Sequence, residues 1–259
     1  MENIVLDKFK AGQPCLGTFS HLLSAVSLRV LGQTGLDYVI LDLEHSPIGP
    51  EHVTELIPAA REAGLCPLVR VNAMDRGQSL KMLDAGAAGL IVPLVETVEQ
   101  VRQLVSYAKF APLGNRGYCP TTDAGWGCGP AYEHGMEGYM STANARTLLI
   151  PQCETAGCLA HIEEIVAMDG VDGIFIGPFD LSIALGIPGQ FDHPDHIAAV
   201  ERVRKACAAA GKLCIMFCGD ANAAADYFRQ GFPNVTVGLD VLTLLSGMKT
   251  TVETAKQGL

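Results

Sequence analysis

Short apolar runs alternate along the chain with longer stretches whose apolar residues recur every three or four positions. The first pattern is that of strands buried on both faces, the second that of helices packed along one stripe. The runs predict strands at 15–19, 38–42, 67–71, 89–94, 147–153, 173–176, 213–217 and 234–237. The stretches between them predict helices at 21–34, 51–63, 76–85, 97–108, 155–168, 194–210, 221–230 and 240–257. Glycines such as Gly64 and Gly211 follow helices, as residues that end a helix in the left-handed region do. Eight strands alternating with eight helices predict an α/β fold, a (β/α)8 TIM barrel built as one domain over residues 1–259. An open doubly wound sheet would carry a glycine-rich phosphate turn after its first strand. Here that position reads Phe19-Ser20-His21-Leu22-Leu23.

One irregular stretch, 112–138, interrupts the rhythm and holds Gly114, Gly117, Gly125, Gly127, Gly129, Gly135 and the single tryptophan, Trp126. A loop of this length in a compact domain is commonly functional. The sequence therefore predicts a lid or an oligomer contact over the barrel mouth.

Composition narrows the partners. Apolar residues make up 49% of the 259 and aromatics 6%, as suits an aliphatic core between strands and helices. A net charge of −10 without a basic cluster argues against nucleic acid and anionic membrane surfaces. No apolar run reaches membrane-spanning length. Nine cysteines without a C-x-x-C pair, several inside apolar runs and with no signal peptide ahead of them, predict reduced, buried thiols and a cytoplasmic protein.

In such barrels chemistry sits at the carboxyl ends of the strands, and the polar residues gather there. The second strand ends in Asp42-Leu43-Glu44-His45, the third in Arg70 and Asn72, the fifth in Gln152 and Glu154, and the sixth in Gly177-Pro178-Phe179-Asp180. Gln152 and Glu154 lie two apart and share a face. Glu154 and Asp180 offer two hard oxygen ligands, which suit Mg2+, Mn2+ or Co2+; equally, each is placed to cap the helix that follows. Arg70 is placed to bind a carboxylate or enolate oxygen, or to pair with Asp42 or Asp84. His45 is a candidate general base with Asp42 to orient it, and a structural histidine otherwise. None of the eight lysines ends a strand, which argues against imine chemistry.

Five segments together resemble the HpcH/HpaI aldolase family, in its order, from about residue 15 to 245. They are Leu41-Asp42-Leu43-Glu44-His45-Ser46-Pro47, Val69-Arg70-Val71-Asn72, Ile91-Val92-Pro93-Leu94-Val95, Gln152-Cys153-Glu154-Thr155 and Gly173 through Ser182 with its Gly177-Pro178-Phe179-Asp180 core. Within the family the likeness is to metal-dependent class II pyruvate aldolases, including 4-hydroxy-2-oxoheptanedioate and 2-keto-3-deoxy-sugar-acid aldolases. The resemblance implies a divalent metal (Mg2+, Mn2+ or Co2+) on Glu154 and Asp180, with Gln152 lining the substrate pocket. It implies that Arg70 stabilises the pyruvate enolate, and that His45 is the base with Asp42 and Asp84 as supporting acids. It places the pyruvate carboxylate at the backbone around Gly177, Phe179 and Asp180, where a helix opens. It also implies a homo-oligomer, a hexamer or trimer of dimers, swapped through the last helix near 242–248.

The sequence departs from the family pattern at Pro151, which removes a strand donor, at Leu43, and at Phe179, which replaces a small residue and would narrow the pocket. The expected substrates are a 2-oxo acid and an aldehyde. Two rival activities use the same enolate, oxaloacetate decarboxylation and CoA-ester cleavage. A barrel that binds 2-oxo acids without catalysis is the alternative from another class.

Overall fold

The computed structural model describes residues 2–128 and 130–257. Its strands are β1 (Cys15–Ser20), β2 (Tyr38–Asp42), β3 (Cys66–Arg70), β4 (Gly89–Val92), β5 (Leu148–Cys153), β6 (Gly173–Ile176), β7 (Leu213–Cys218) and β8 (Asn234–Leu239). All pair in parallel in sequence order, and Cys15 opposite Asn234 closes β1 onto β8. Around this barrel lie α1 (Ile4–Lys10), α2 (Ala25–Leu31), α3 (Pro50–Glu62), α4 (Arg76–Asp84), α5 (Val98–Ala108) and α6 (Gly135–Arg146). The circuit continues with α7 (Ala156–Ala160), α8 (Ile162–Ala167), α9 (Pro178–Ala184), α10 (Pro194–Ala210), α11 (Ala221–Arg229) and α12 (Asp240–Lys256).

Because side chains alternate along a strand, each run feeds two cores. Tyr38, Ile40, Leu68, Ile91, Ile150, Phe175 and Ile215 fill the barrel interior, whereas Val39, Leu41, Val69, Leu90, Leu149 and Ile174 pack outward under the helices. Gly89 sits where two strands press close: a Cβ there would lie 2.6 Å from Leu148 Cβ and 2.8 Å from its carbonyl oxygen. The barrel end at the strand amino termini is plugged by α1, whose Val5 and Leu6 join the interior core. Its cap, Asn3, accepts from Leu6 N and donates to the Ala88 and Arg146 carbonyls.

The sequence pattern missed α1, too short to show a helical period, and α9, hidden inside a polar strand end. The predicted helix at 155–168 breaks at His161 into α7 and α8. Strand ends also shift: β1 runs on to Ser20 and β8 to Leu239, while β4 stops at Val92.

The predicted lid is corrected. The stretch 112–138 joins α5 to β5, and helix-to-strand connections lie at the barrel end opposite the strand carboxyl termini. Its described residues fold against the outer layer. Arg116 Nη2 lies 2.8 Å from Asp84 Oδ1, the Asp123 amide donates to the Asp84 carbonyl, and Tyr139 Oη donates to Asp123 at 2.9 Å. Two 3-10 turns, Gly125–Gly127 and Pro130–Tyr132, and the start of α6 organise the segment, and Gly129 lies outside the described residues. Within its own chain this loop does not roof the mouth. The cysteine expectation also needs amending: all nine are free and seven are buried, but Cys119 and Cys128, on this loop, are exposed.

Candidate active site

At the carboxyl ends of the strands the period-two alternation brings one layer of side chains inward. Tyr38 and Ile40 of β2 lead to Asp42 and then Glu44; Leu68 of β3 leads to Arg70; Ile150 of β5 leads to Gln152 and Glu154. On β1, Cys15 and Phe19 lead to His21. These ends surround a cavity of about 230 Å³ lined by the polar residues His21, His45, Arg70, Gln152 and Asp180 and by four phenylalanines.

Arg70 is the pivot. Its Nε donates to Asp42 Oδ1 at 2.7 Å and its Nη2 to Asp42 Oδ2 at 2.6 Å, the two-pronged geometry of a guanidinium on a carboxylate. Its Cζ lies 4.5 Å from the centre of the Phe19 ring. Asp42 is fully buried, and burial alone would push its carboxyl up. Bonds from His21 and Arg70, with the Arg70 charge, outweigh this and hold it well below the usual range. His21 Nε2 sits 2.8 Å from Asp42 Oδ2.

The acidic side is different in kind. Glu154 is buried; its Oε1 accepts from the Leu94 amide at 2.7 Å and its Oε2 from Gln152 Nε2. Leu94 holds that amide with φ at +56°, an uncommon conformation that carries a conformational cost for a residue with a Cβ. Burial pushes the Glu154 carboxyl up; Leu94 and Gln152 oppose it, and the charge of nearby Asp180 adds to the rise. Burial likewise lifts Glu44 to about 7. Arg70 pulls the other way, but Glu154, Asp42 and Asp180 repel its charge. Gly177 leaves room for this cluster, since a Cβ there would lie 3.0 Å from Glu154 Oε2 and 3.2 Å from Gln152 Nε2.

Neither Glu154 nor Asp180 is a helix cap. Thr155 caps α7, its hydroxyl accepting from Cys158 N at 3.0 Å, and α9 has no side-chain cap although Asp180 lies in its first turn. What remains is an oxygen-rich cluster short of positive charge. Glu44 Oε2, 3.2 Å from Arg70 Nη1 but out of hydrogen-bonding alignment, and Gln152 Oε1 are buried without a donor. This donor set fits a hard divalent cation. Among the described residues no group of three or more His, Cys, Asp or Glu side chains converges in ligand geometry. The candidate therefore rests on two carboxylates, with remaining positions open to water or substrate.

Two expected partnerships are absent from the chain's own fold. Asp42 is engaged by Arg70 and His21 rather than by His45, which is 61% exposed with its Nε2 3.8 Å from Glu44. Asp84 ends α4, outside the cavity, paired with Arg116. The helix containing it runs antiparallel to the strands, so its carboxyl end points away from the mouth. No role is assigned from the sequence to His21, Glu44, Phe19 or Phe217. His21 was legible: it is two positions beyond Phe19 on the inward face once β1 is extended by one residue. The loop that carries it is fixed by Asp240, which accepts from Ser20 Oγ at 2.7 Å and from the His21 amide at 2.8 Å. Phe179 lines the cavity as expected, and Pro151 is buried opposite Val92 without ending β5.

Comparison with known proteins agrees with this geometry. A family model described as HpcH/HpaI aldolase/citrate lyase matches residues 16–246. The chain is 33% identical over 248 residues to a hydroxypyruvate/pyruvate aldolase of Roseobacter denitrificans, covering 95% of this chain and 94% of the relative. It is 31% identical over 249 residues to a 4-hydroxy-2-oxo-heptane-1,7-dioate aldolase of Salmonella typhimurium, covering 95% and 92%. The crystal structure of an HpcH/HpaI aldolase from Desulfitobacterium hafniense superimposes with a TM-score of 0.90 at 30% identity, over 98% of this chain and 97% of that one.

Proposed function

We propose, starting from the fact that this chain belongs to the HpcH/HpaI aldolase/citrate lyase family, that it is a divalent-metal-dependent aldolase acting on 4-hydroxy-2-oxo acids to give pyruvate, or a related 2-oxo acid, and an aldehyde. It is a lyase of the aldolase kind, as its named relatives are. The observation that carries the finer reading is that Arg70 and Asp180 line one cavity and both act electrostatically on the buried, under-neutralised Glu154 carboxyl beside it.

In cleavage, the C3–C4 bond of the substrate breaks and its electron pair passes into an enolate of the 2-oxo acid. The C4 hydroxyl gives up its proton and becomes the aldehyde, and the enolate is reprotonated at C3. Arg70, held by Asp42 in a fixed orientation, places positive charge where the enolate oxygen develops. Glu154 and Asp180 would hold Mg2+, Mn2+ or Co2+, which when bound supplies Lewis-acid stabilisation of the same oxygens. Gln152 and the backbone around Gly177, Phe179 and Asp180 orient the oxo-acid end, and exposed His45 takes the C4 hydroxyl proton. Asp84 of the same chain has no part in this arrangement.

The assembly consistent with this reading is a homo-oligomer, a hexamer or trimer of dimers. Supporting it, α12 leaves Leu242, Leu244, Leu245 and Met248 exposed, an apolar surface that a single chain does not cover. The cytoplasm is the compartment that nine free cysteines favour. Among the described residues, no helix is long and apolar enough to cross a membrane.

The direct test is exchange of pyruvate methyl protons in D2O, followed by NMR. Metal-loaded protein should exchange them and EDTA-treated protein should not. Equal exchange in both, or none in either, would contradict the proposal.

A further inference from the structure

The apolar lining of the cavity is built mainly from aromatic rings. Of nine phenylalanines in the chain, Phe19, Phe175, Phe179 and Phe217 line it and Phe191 backs it. They form one continuous chain of contacts. Phe175 meets Phe19 at 5.8 Å between ring centres, Phe19 meets Phe217 at 5.6 Å, Phe217 meets Phe179 at 6.1 Å, and Phe179 meets Phe191 at 5.0 Å. At one end Phe19 carries the Arg70 guanidinium on its face; at the other Phe179 stands half out of the mouth. The wall thus runs from the Arg70 guanidinium to the entrance of the cavity.

Two absences from this wall matter as much as the rings. Arg70 is the only Lys or Arg among the described residues lining the cavity, and Asp42 and Glu44 already face it. Among the described residues of one chain, a second carboxylate on the aldehyde would meet no lysine or unpaired arginine there. Nor does the phenylalanine face offer a donor or acceptor to a run of hydroxyl groups, which would be stripped of water and left unpaired.

We propose that the aldehyde this enzyme handles is neutral and carries an apolar, ring-sized body, and that Phe179 is the residue that selects it. The inference rests on the aldolase reading and names its second substrate. In the synthetic direction pyruvate loses a methyl proton to the base, and the resulting enolate carbon bonds to the aldehyde carbon. The carbonyl π pair moves to the aldehyde oxygen, which takes up a proton to become the 4-hydroxyl, with no net oxidation or reduction. Throughout, the body of the aldehyde lies against Phe217 and Phe179, and burying it there favours binding and transition state alike.

The test uses the metal-loaded full chain with pyruvate and Mn2+, and three aldehydes whose reacting carbons are each attached to an alkyl carbon: 3-phenylpropanal, D-glyceraldehyde and succinic semialdehyde. kcat/KM should be at least about tenfold higher for 3-phenylpropanal than for either of the others. In Phe179→Ala, that ratio should fall by about tenfold; because the ratio is taken within one variant, any general loss of activity cancels. Phe191→Ala, which removes the ring behind Phe179 without touching the cavity lining, should lower the ratio in the same direction. Equal or reversed preference in the wild type, or a ratio unmoved in Phe179→Ala, would overturn the proposal. Pyruvate proton exchange separates the two levels: exchange with a flat aldehyde profile refutes this inference alone, and no exchange refutes the aldolase reading beneath it.

Discussion

Arg70 draws its chemistry from being held rather than from being free. Two bonds to fully buried Asp42 fix the guanidinium plane, and the Phe19 ring lies against it. Arg70→Ala should therefore lower kcat by about a hundredfold or more, the scale of losing one aimed charge-stabilising donor. It should also destabilise the fold by about 3 kcal/mol, because Asp42 would be left buried with only His21 and the Glu44 amide as partners. Urea unfolding and steady-state kinetics on one preparation check both; near wild-type turnover would refute the role. Glu44 gives a pH test. Its carboxyl titrates near 7 in the fold against an ordinary value of about 4.3, so the fold binds its proton more tightly than the unfolded chain does. The resulting cost to stability is absent below about pH 4, grows through the window between the two values, and is complete above about pH 7. Metal-free Glu44→Gln should therefore gain stability relative to wild type on going from pH 5 to pH 8. A difference that stayed flat across that range would contradict the assignment.

At the scale of elements, the strand alternation that builds the barrel also aims its chemistry, which is why much of the site could be read from the sequence. Arg70 and Gln152 each continue an inward apolar series by two residues and Glu154 by two more, a regularity visible in the sequence. Glu44 continues the same series beyond Asp42 and was seen but given no role. His21 escaped because β1 was ended at Phe19, one residue short of its observed end at Ser20. Asp84 shows the converse: a motif supplies a residue type and an order, but only the direction of α4 shows that the residue lies away from its own chain's mouth. The loop bearing His21 is tied to the last helix by Asp240, whose carboxylate also receives the Leu22 and Val241 amides. Asp240→Ala should cost about 2 kcal/mol through these lost bonds. By loosening His21 it should also raise KM for pyruvate, as equilibrium unfolding and initial rates will show. Unchanged stability would mean that water replaces the carboxylate without loss.

For the whole molecule, an eight-fold alternation with correct order left little room for another architecture, and the barrel closed as the pattern required. What the pattern could not carry was anything without a period: α1 plugging the barrel, the packed course of the stretch 112–138, and the wall formed by phenylalanines distant in sequence. The exposed apolar residues of α12 lead to a prediction at this scale. Light scattering should give a mass that is a multiple of the 27.4 kDa chain, and Leu244→Glu with Leu245→Glu should lower it. A monomer in the wild type would contradict the proposed assembly. The claim on which the function turns is that Glu154 and Asp180 together hold one divalent cation beside Arg70. Calorimetric titration of metal-free protein with Mn2+ addresses it. One ion per chain should bind, with affinity falling more than about a hundredfold in Glu154→Gln and likewise in Asp180→Asn, while circular dichroism stays that of the barrel. Binding as tight as wild type in both folded variants would contradict it.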